Sequence, residues 1–287
     1  MAVFTLILLA GMAVLLFWEG RRPARRFPEI RGWRLRGALS VVAYFALAGS
    51  APYLWADWLG TIKLIDASGL PLWLSVPLGF AAVQLVAYWW HRTMHASDTL
   101  WRLFHQMHHS AERLDIWGSF YLHPFDTLGF TFWGSFALTV LCNVQPLAAG
   151  VVGVIGGLAA VFTHTNVATP AWIGWLFQRP EGHGRHHERG RHAGNYAELV
   201  LWDRLFGTYE NPSVWQGQAG FYDGASGRVW DMLTFRDVST PKRHRLRVDR
   251  HVPSWSQDLG AVLVVAAYAT VYLAVALGIG SAVRMIA

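Results

Sequence analysis

The chain has 287 residues, 53% of them hydrophobic and only 15% charged, and its mean hydropathy is positive. A soluble domain averages about 25% charged residues, so the composition excludes an ordinary soluble domain and indicates a membrane protein. The net charge of +6 comes from 22 Arg and two Lys, and in a membrane chain such residues mark the inside loops rather than a nucleic-acid partner. The single cysteine, Cys142, rules out an intrachain disulfide and a CxxC zinc site, so any metal must rest on histidines and carboxylates.

The apolar run 2–18 is just long enough to cross a bilayer. No positive charge precedes it and no small-residue cleavage site follows, so it reads as a retained helix rather than a signal peptide. A basic loop with Arg21, Arg22, Arg25, Arg26, Arg31, Arg34 and Arg36 comes next. The second apolar run covers 38–58, and a loop over 59–70 carries turn signals at Asp66 and Ser68-Gly69. The third run, 71–90, ends in Tyr88-Trp89-Trp90, aromatics favoured at the membrane interface, and Pro77 is a point for a kink. After the polar stretch 91–126, the runs 127–142 and 147–162 are split by Asn143-Val144-Gln145-Pro146, which predicts a helical hairpin. A long polar segment rich in Trp and Gly closes with the basic run Lys242–His251, and 259–279 is a last apolar run.

Charge orients these segments. With the N-terminus outside, the inside loops 19–36, 91–126 and 164–258 hold 22 of the 24 basic residues, leaving Lys63 and Arg284 outside. The same orientation puts every histidine inside, which charge alone does not require. The expectation is an all-α, multi-pass transmembrane bundle with a cytosolic, histidine-rich di-metal cap.

Five histidines fall within the nineteen residues from His91 to His109. His91 and His95 are at i and i+4, while His105, His108 and His109 are at i, i+3 and i+4, spacings that share one helix face. His183, His186 and His187 repeat the second pattern, although Gly182 and Gly184 weaken the case for helix there. A single HxxH arises by chance, but three boxes on one side of a membrane point to metal. Neutral imidazole is a common ligand for iron, zinc, copper and nickel. Eight boxed histidines exceed one four-coordinate zinc and suit two metals of higher coordination number. A nitrogen-rich donor set beside a bilayer suits redox-active iron and O2-dependent attack on a lipid C–H bond.

The order His91-Arg-x-x-His95, His105-x-x-His108-His109 and His183-x-x-His186-His187 resembles the sterol desaturase / fatty acid hydroxylase superfamily of membrane di-iron enzymes. Further matching motifs are Phe104–Ser110, Leu122-His123-Pro124, His164-Thr165-Asn166, Asn195-Tyr196 and Trp202–Thr208. The resemblance implies a membrane-bound oxygenase that hydroxylates or desaturates a lipid, using two iron ions, O2 and electrons. Carried over by position, the eight boxed histidines are metal ligands, with His164 as a ninth; His123, ranked just below it, is equally a candidate to cap or orient its loop. Asp203 is a candidate to support a ligand from behind or to pair with Arg204. His192, His244 and His251 are expected in solvent, as are Glu181 and Glu188 beside an Arg-rich loop.

Three regions follow: 1–76 with the N-terminal membrane segments, 77–209 as the di-iron domain, and 210–287 with a basic segment and a last membrane helix. No fused cytochrome b5 or ferredoxin module is recognisable, so electrons are expected from a separate protein of that kind. The run Lys242–Arg247 is a docking surface for it or for anionic lipid headgroups, or a topology signal alone. The expected setting is a bacterial inner membrane, in keeping with the arginine bias. The nearest rival activity is ether-lipid cleavage of the alkylglycerol type. A membrane metal transporter and a membrane zinc hydrolase are rivals from other classes.

Overall fold

The computed structural model describes residues 2–240. The basic run 242–251 and the apolar run 259–279 lie outside the described residues. Within them the chain is helical, and its only ladder pairings are three isolated bridges. Among the described residues four helices are long and apolar enough to cross a membrane: Val3–Arg21, Trp33–Leu54, Leu72–Ala96 and Pro146–His164.

Helix α1 (Ala2–Arg21) leaves Leu6, Val14 and Phe17 about two-thirds exposed. Such a surface is stable against lipid tails and unstable against water. Its other side packs on α6 (Pro146–His164). Gly11 receives Leu158 there, and Gly150 receives the Phe4 ring at a distance that no Cβ would permit. In lipid, where burial offers no hydrophobic gain, close approach at small residues is what joins helices.

Helix α2 (Trp33–Ser50) begins five residues before the expected apolar run. Its first turn is amphipathic and anchored in the cap. Trp33 Nε1 donates to Asp115 Oδ1 (2.8 Å), and Arg36 Nη1 donates to Ser226 O (2.8 Å). Pro52 then tightens the chain into a short 3-10 turn, Ala51–Leu54.

Helix α3 (Leu72–Ala96) starts after Pro71 and contains Pro77 without ending there. It runs six residues past the apolar segment, because its last turns face protein rather than lipid: Tyr88, His91 and Met94 are buried. At ~1.5 Å per residue it is about 37 Å long, enough to span the bilayer and carry His91 and His95 beyond it.

Trp101–His105 forms a wide π-type turn leading into the single α-turn α4 (Gln106–His109). The hairpin consists of α5 (Pro124–Phe136), its π-type extension Ala137–Leu141, and α6. Asn143, at φ +40°, makes the turn, and its side chain donates to Asp66 Oδ1 (2.7 Å). Helix α6 packs along both α3 and α1 and ends at His164, beside the end of α3.

The remaining chain folds over these helix ends as a cap. It includes α7 (Pro180–His186) and α8 (Val200–Leu205). Its apolar core gathers Trp33, Met107, Tyr121, Met232 and Leu233. Each fully buried side chain of that size contributes roughly 1.5–3 kcal/mol, which ties the cap to the first turn of α2.

Candidate metal centre

The nine histidines form two groups. His91, His95, His105, His109 and His186 bring one ring nitrogen each to within 4.8 Å of one another; His108, His164, His183 and His187 do the same. The boxes interleave. The first HxxHH sends its i and i+4 residues, His105 and His109, to the five-histidine group and His108 to the other. The second does the reverse, sending His183 and His187 to the four-histidine group and His186 to the five. The groups abut where the His109 and His187 rings stack at 4.0 Å.

Local structure explains the placement. Helix α7 forms in spite of its glycines because Pro180 starts it and its glycines admit neighbours. The Trp215 ring lies against Gly184, and the Gln178 side chain lies over Gly182 where a Cβ would meet it at 2.8 Å.

Most rings are also fixed from behind. His91 Nδ1–H donates to Tyr196 O (2.7 Å), His95 Nδ1–H to His192 O (2.8 Å), His186 Nδ1–H to Gly194 O (2.6 Å) and His164 Nδ1–H to Ala160 O (2.7 Å). A carbonyl accepts only, so each of these rings must present a bare Nε2 lone pair inward unless it is protonated.

Protonation is disfavoured. Burial pulls His105, His108, His109, His183, His186 and His187 well below the ordinary imidazole value, and their neighbouring imidazoles lower them further. Neutral rings with Nε2 atoms facing one another are short of donors. His91 and His105 Nε2 lie 2.9 Å apart, His108 and His164 3.0 Å, His164 and His183 3.0 Å, and His183 and His187 3.1 Å. The Nε2 atoms of His95, His109 and His186 are buried with no partner among the described residues. Converging unpaired lone pairs of this kind are costly to bury and fit cations on both groups.

The support reaches further out. Asp203 accepts Tyr196 N–H and the Thr208 hydroxyl on Oδ1 (2.8 and 2.7 Å) and Ala197 N–H on Oδ2 (2.8 Å). It thus holds the carbonyl that orients His91. Arg204 does not pair with Asp203 but donates to Gly174 O (3.1 Å). His123 belongs to neither group: its Nδ1 accepts Phe125 N–H (3.1 Å) and caps α5.

Three residues behave differently from the sequence reading. His192 is half-buried rather than solvated, and its Nδ1 meets His109 Nδ1 at 3.0 Å. Glu181 is buried, accepts Thr169 N–H and Oγ1–H (both 2.7 Å), and pairs with buried Arg179 (3.2 Å). Glu188 is tied to Arg185 (2.6 Å) and Trp215 Nε1 (3.2 Å).

Asp126, two residues after the Leu122-His123-Pro124 motif, is a site residue that no sequence pattern marks. Its Oδ2 is 2.7 Å from His105 Nδ1. Burial pushes its carboxyl up, whereas a cation at His105 Nε2 favours the ionised carboxyl with the proton on Nδ1. A cleft of about 640 Å³ reaches the five-histidine group from the cap surface, where His95, Trp101 and His192 line it.

Residues 76–208 match the family model for fatty acid hydroxylase. The chain is 34% identical over 146 residues to ornithine lipid hydroxylase OlsE of Rhizobium tropici, covering 50% of this chain and 44% of that protein. It is 30% identical over 161 residues to alkylglycerol monooxygenase of Danio rerio, covering 55% and 34%. It is 26% identical over 137 residues to sphingolipid C4-hydroxylase sur2 of Schizosaccharomyces pombe, covering 46% and 47%. The matched region is thus less than half the length of each of these relatives. No solved structure gives a match.

Proposed function

Residues 76–208 belong to the sterol desaturase / fatty acid hydroxylase superfamily, and from that premise we propose that the protein is a membrane-bound non-haem di-iron oxygenase acting on a lipid. The observation that carries the proposal is the pair of buried imidazole groups, each with nitrogens converged within 4.8 Å, at the ends of α3 and α6.

In this reading His91, His95, His105, His109 and His186 hold one iron, and His108, His164, His183 and His187 hold the other. Bound iron supplies the activation of O2 for hydroxylation or desaturation of an unactivated C–H bond. The protein does the rest. Tyr196, Gly194 and Ala160 carbonyls fix which ring nitrogen faces inward. The cap buries the rings apart from the cleft that reaches His95. The apolar helices let a lipid tail approach laterally. Electrons come from a separate donor. The charge distribution supports a cytosolic centre, and the relative in Rhizobium tropici supports a bacterial inner membrane.

A second reading within the family is ether-lipid cleavage, favoured by the likeness to alkylglycerol monooxygenases of fish, frog and human. Labelled alkylglycerol would then yield an aldehyde. A transporter would place its ligands near the bilayer midplane, whereas these sit at helix ends and in the cap. A zinc hydrolase needs one zinc with an open position, and nine histidines in two groups exceed it.

The test is metal analysis of protein purified without chelating resin, together with an O2-uptake assay on membrane lipids. About two irons per chain and lipid-dependent O2 uptake are expected; one zinc and no O2 uptake would overturn the assignment. Lipid profiles of a deletion strain against its parent then identify the substrate.

A further inference from the structure

The rings of the five-histidine group rest on unlike acceptors. Main-chain carbonyls stand behind His91, His95 and His186, and an imidazole, His192, stands behind His109. His105 alone meets a carboxyl group, with Nδ1 2.7 Å from Asp126 Oδ2 and the two side chains 2% and 0% exposed. Among the described residues, no carboxyl is hydrogen-bonded to a ring of the four-histidine group.

Local structure fixes this contact. Asp126 sits in the first turn of α5, behind Pro124, and its N–H donates to His123 O (2.9 Å). His123 closes the same turn by accepting Phe125 N–H. The proline presets the backbone and the cap holds the helix start, so the carboxyl cannot drift from His105. The partial positive charge at the helix start also favours the carboxylate.

We propose that Asp126 is a positioning residue that makes the two metal positions chemically unequal. By accepting His105 Nδ1–H as a carboxylate, it strengthens donation from His105 Nε2. The metal of the five-histidine group is then held more tightly and is the more electron-rich of the pair. This rests on the two-metal reading above. A carboxylate behind a metal-bound imidazole raises the ligand's basicity, and loss of such a partner typically costs about 10–100-fold in metal affinity. The Leu122-His123-Pro124 motif then serves to aim Asp126 rather than to bind metal.

The decisive variant is Asp126→Asn, which keeps the size and one acceptor oxygen and removes the charge. Wild type and variant are loaded with isotopically enriched iron, then followed by staged chelation and Mössbauer spectroscopy. In the variant both irons should still load, one should be held about 10-fold or more weakly, and only one spectral component should shift. Unchanged affinity for both irons together with an unchanged spectrum overturns the proposal. A wild-type chain that takes up no iron instead overturns the function on which it rests.

Should Asp126→Asn fail to fold, the question passes to wild-type protein loaded with zinc and isotope-labelled histidine. One ring N–H proton should resonate well downfield of the rest, as a carboxylate acceptor requires. A spectrum without such a proton overturns the proposal.

Discussion

The two histidine groups are built from the same boxes and differ in what holds their rings. In the five-histidine group every ring meets a fixed partner behind it, and those partners lie in the segments 192–196 and at Asp126. In the four-histidine group His164 is tied to Ala160 O, but His187 Nδ1 is buried with no partner among the described residues. One group is held from behind at every ring, and the other only in part. Preorganisation of this kind is what limits loss of geometry at a binding site.

The largest effect should come from removing one ring from each group. In the proposed two-metal reading, His186→Ala and His183→Ala should each abolish turnover. Metal content should fall from about two towards about one per chain in each variant, since each removes a ligand from one site only. If either variant kept full iron and activity, the division into two groups would be wrong.

Asp203→Asn probes the support behind the five-histidine group without touching a ring. The amide turns one acceptor into a donor that faces N–H or O–H groups. A buried group left unsatisfied costs roughly 1–3 kcal/mol, so the thermal midpoint should drop. Displacement of Tyr196 O should also make the five-histidine group lose its metal before the other. Parallel loss from both groups would remove the contrast between them.

Acid tests the burial of the rings themselves rather than any one contact. Burial pulls His192 down to about 4, and the rings of α4 and α7 lie well below the ordinary value. The unfolded chain, with imidazoles near about 6.5, therefore binds more protons than the native chain as pH falls. The stability of metal-free protein should be full above about pH 6.5 and should decline from there to about pH 4. A midpoint that stays flat across that window would mean that the rings are wetter than the structure implies.

Much of this was legible in the sequence. The apolar runs, the hairpin turn at Asn143 and the three boxes follow from periodicity and composition. Helix spacing predicts that the members of a box share one face. It could not tell that one face serves two centres, because a difference between i+3 and i+4 is small on a single helix. It decides membership only when a second helix approaches. His192 and Glu181 were misread for a related reason. Both sit in stretches that look solvated by composition, and they meet partners from elsewhere in the chain, His109 for His192 and Thr169 for Glu181. Asp126 carries no local signal beyond its place after the proline.

Interleaving also has a consequence for biogenesis. A ribosome that has delivered the chain as far as His109 has supplied four of the five rings of one group and one of the four rings of the other. Neither is finished until residues 183–187 emerge, and that single turn completes both. In the proposed two-metal reading, neither site is complete before that turn is made. A nascent chain stalled before α7 has neither group complete, so this short helix is where the two sites are joined in time as well as in space.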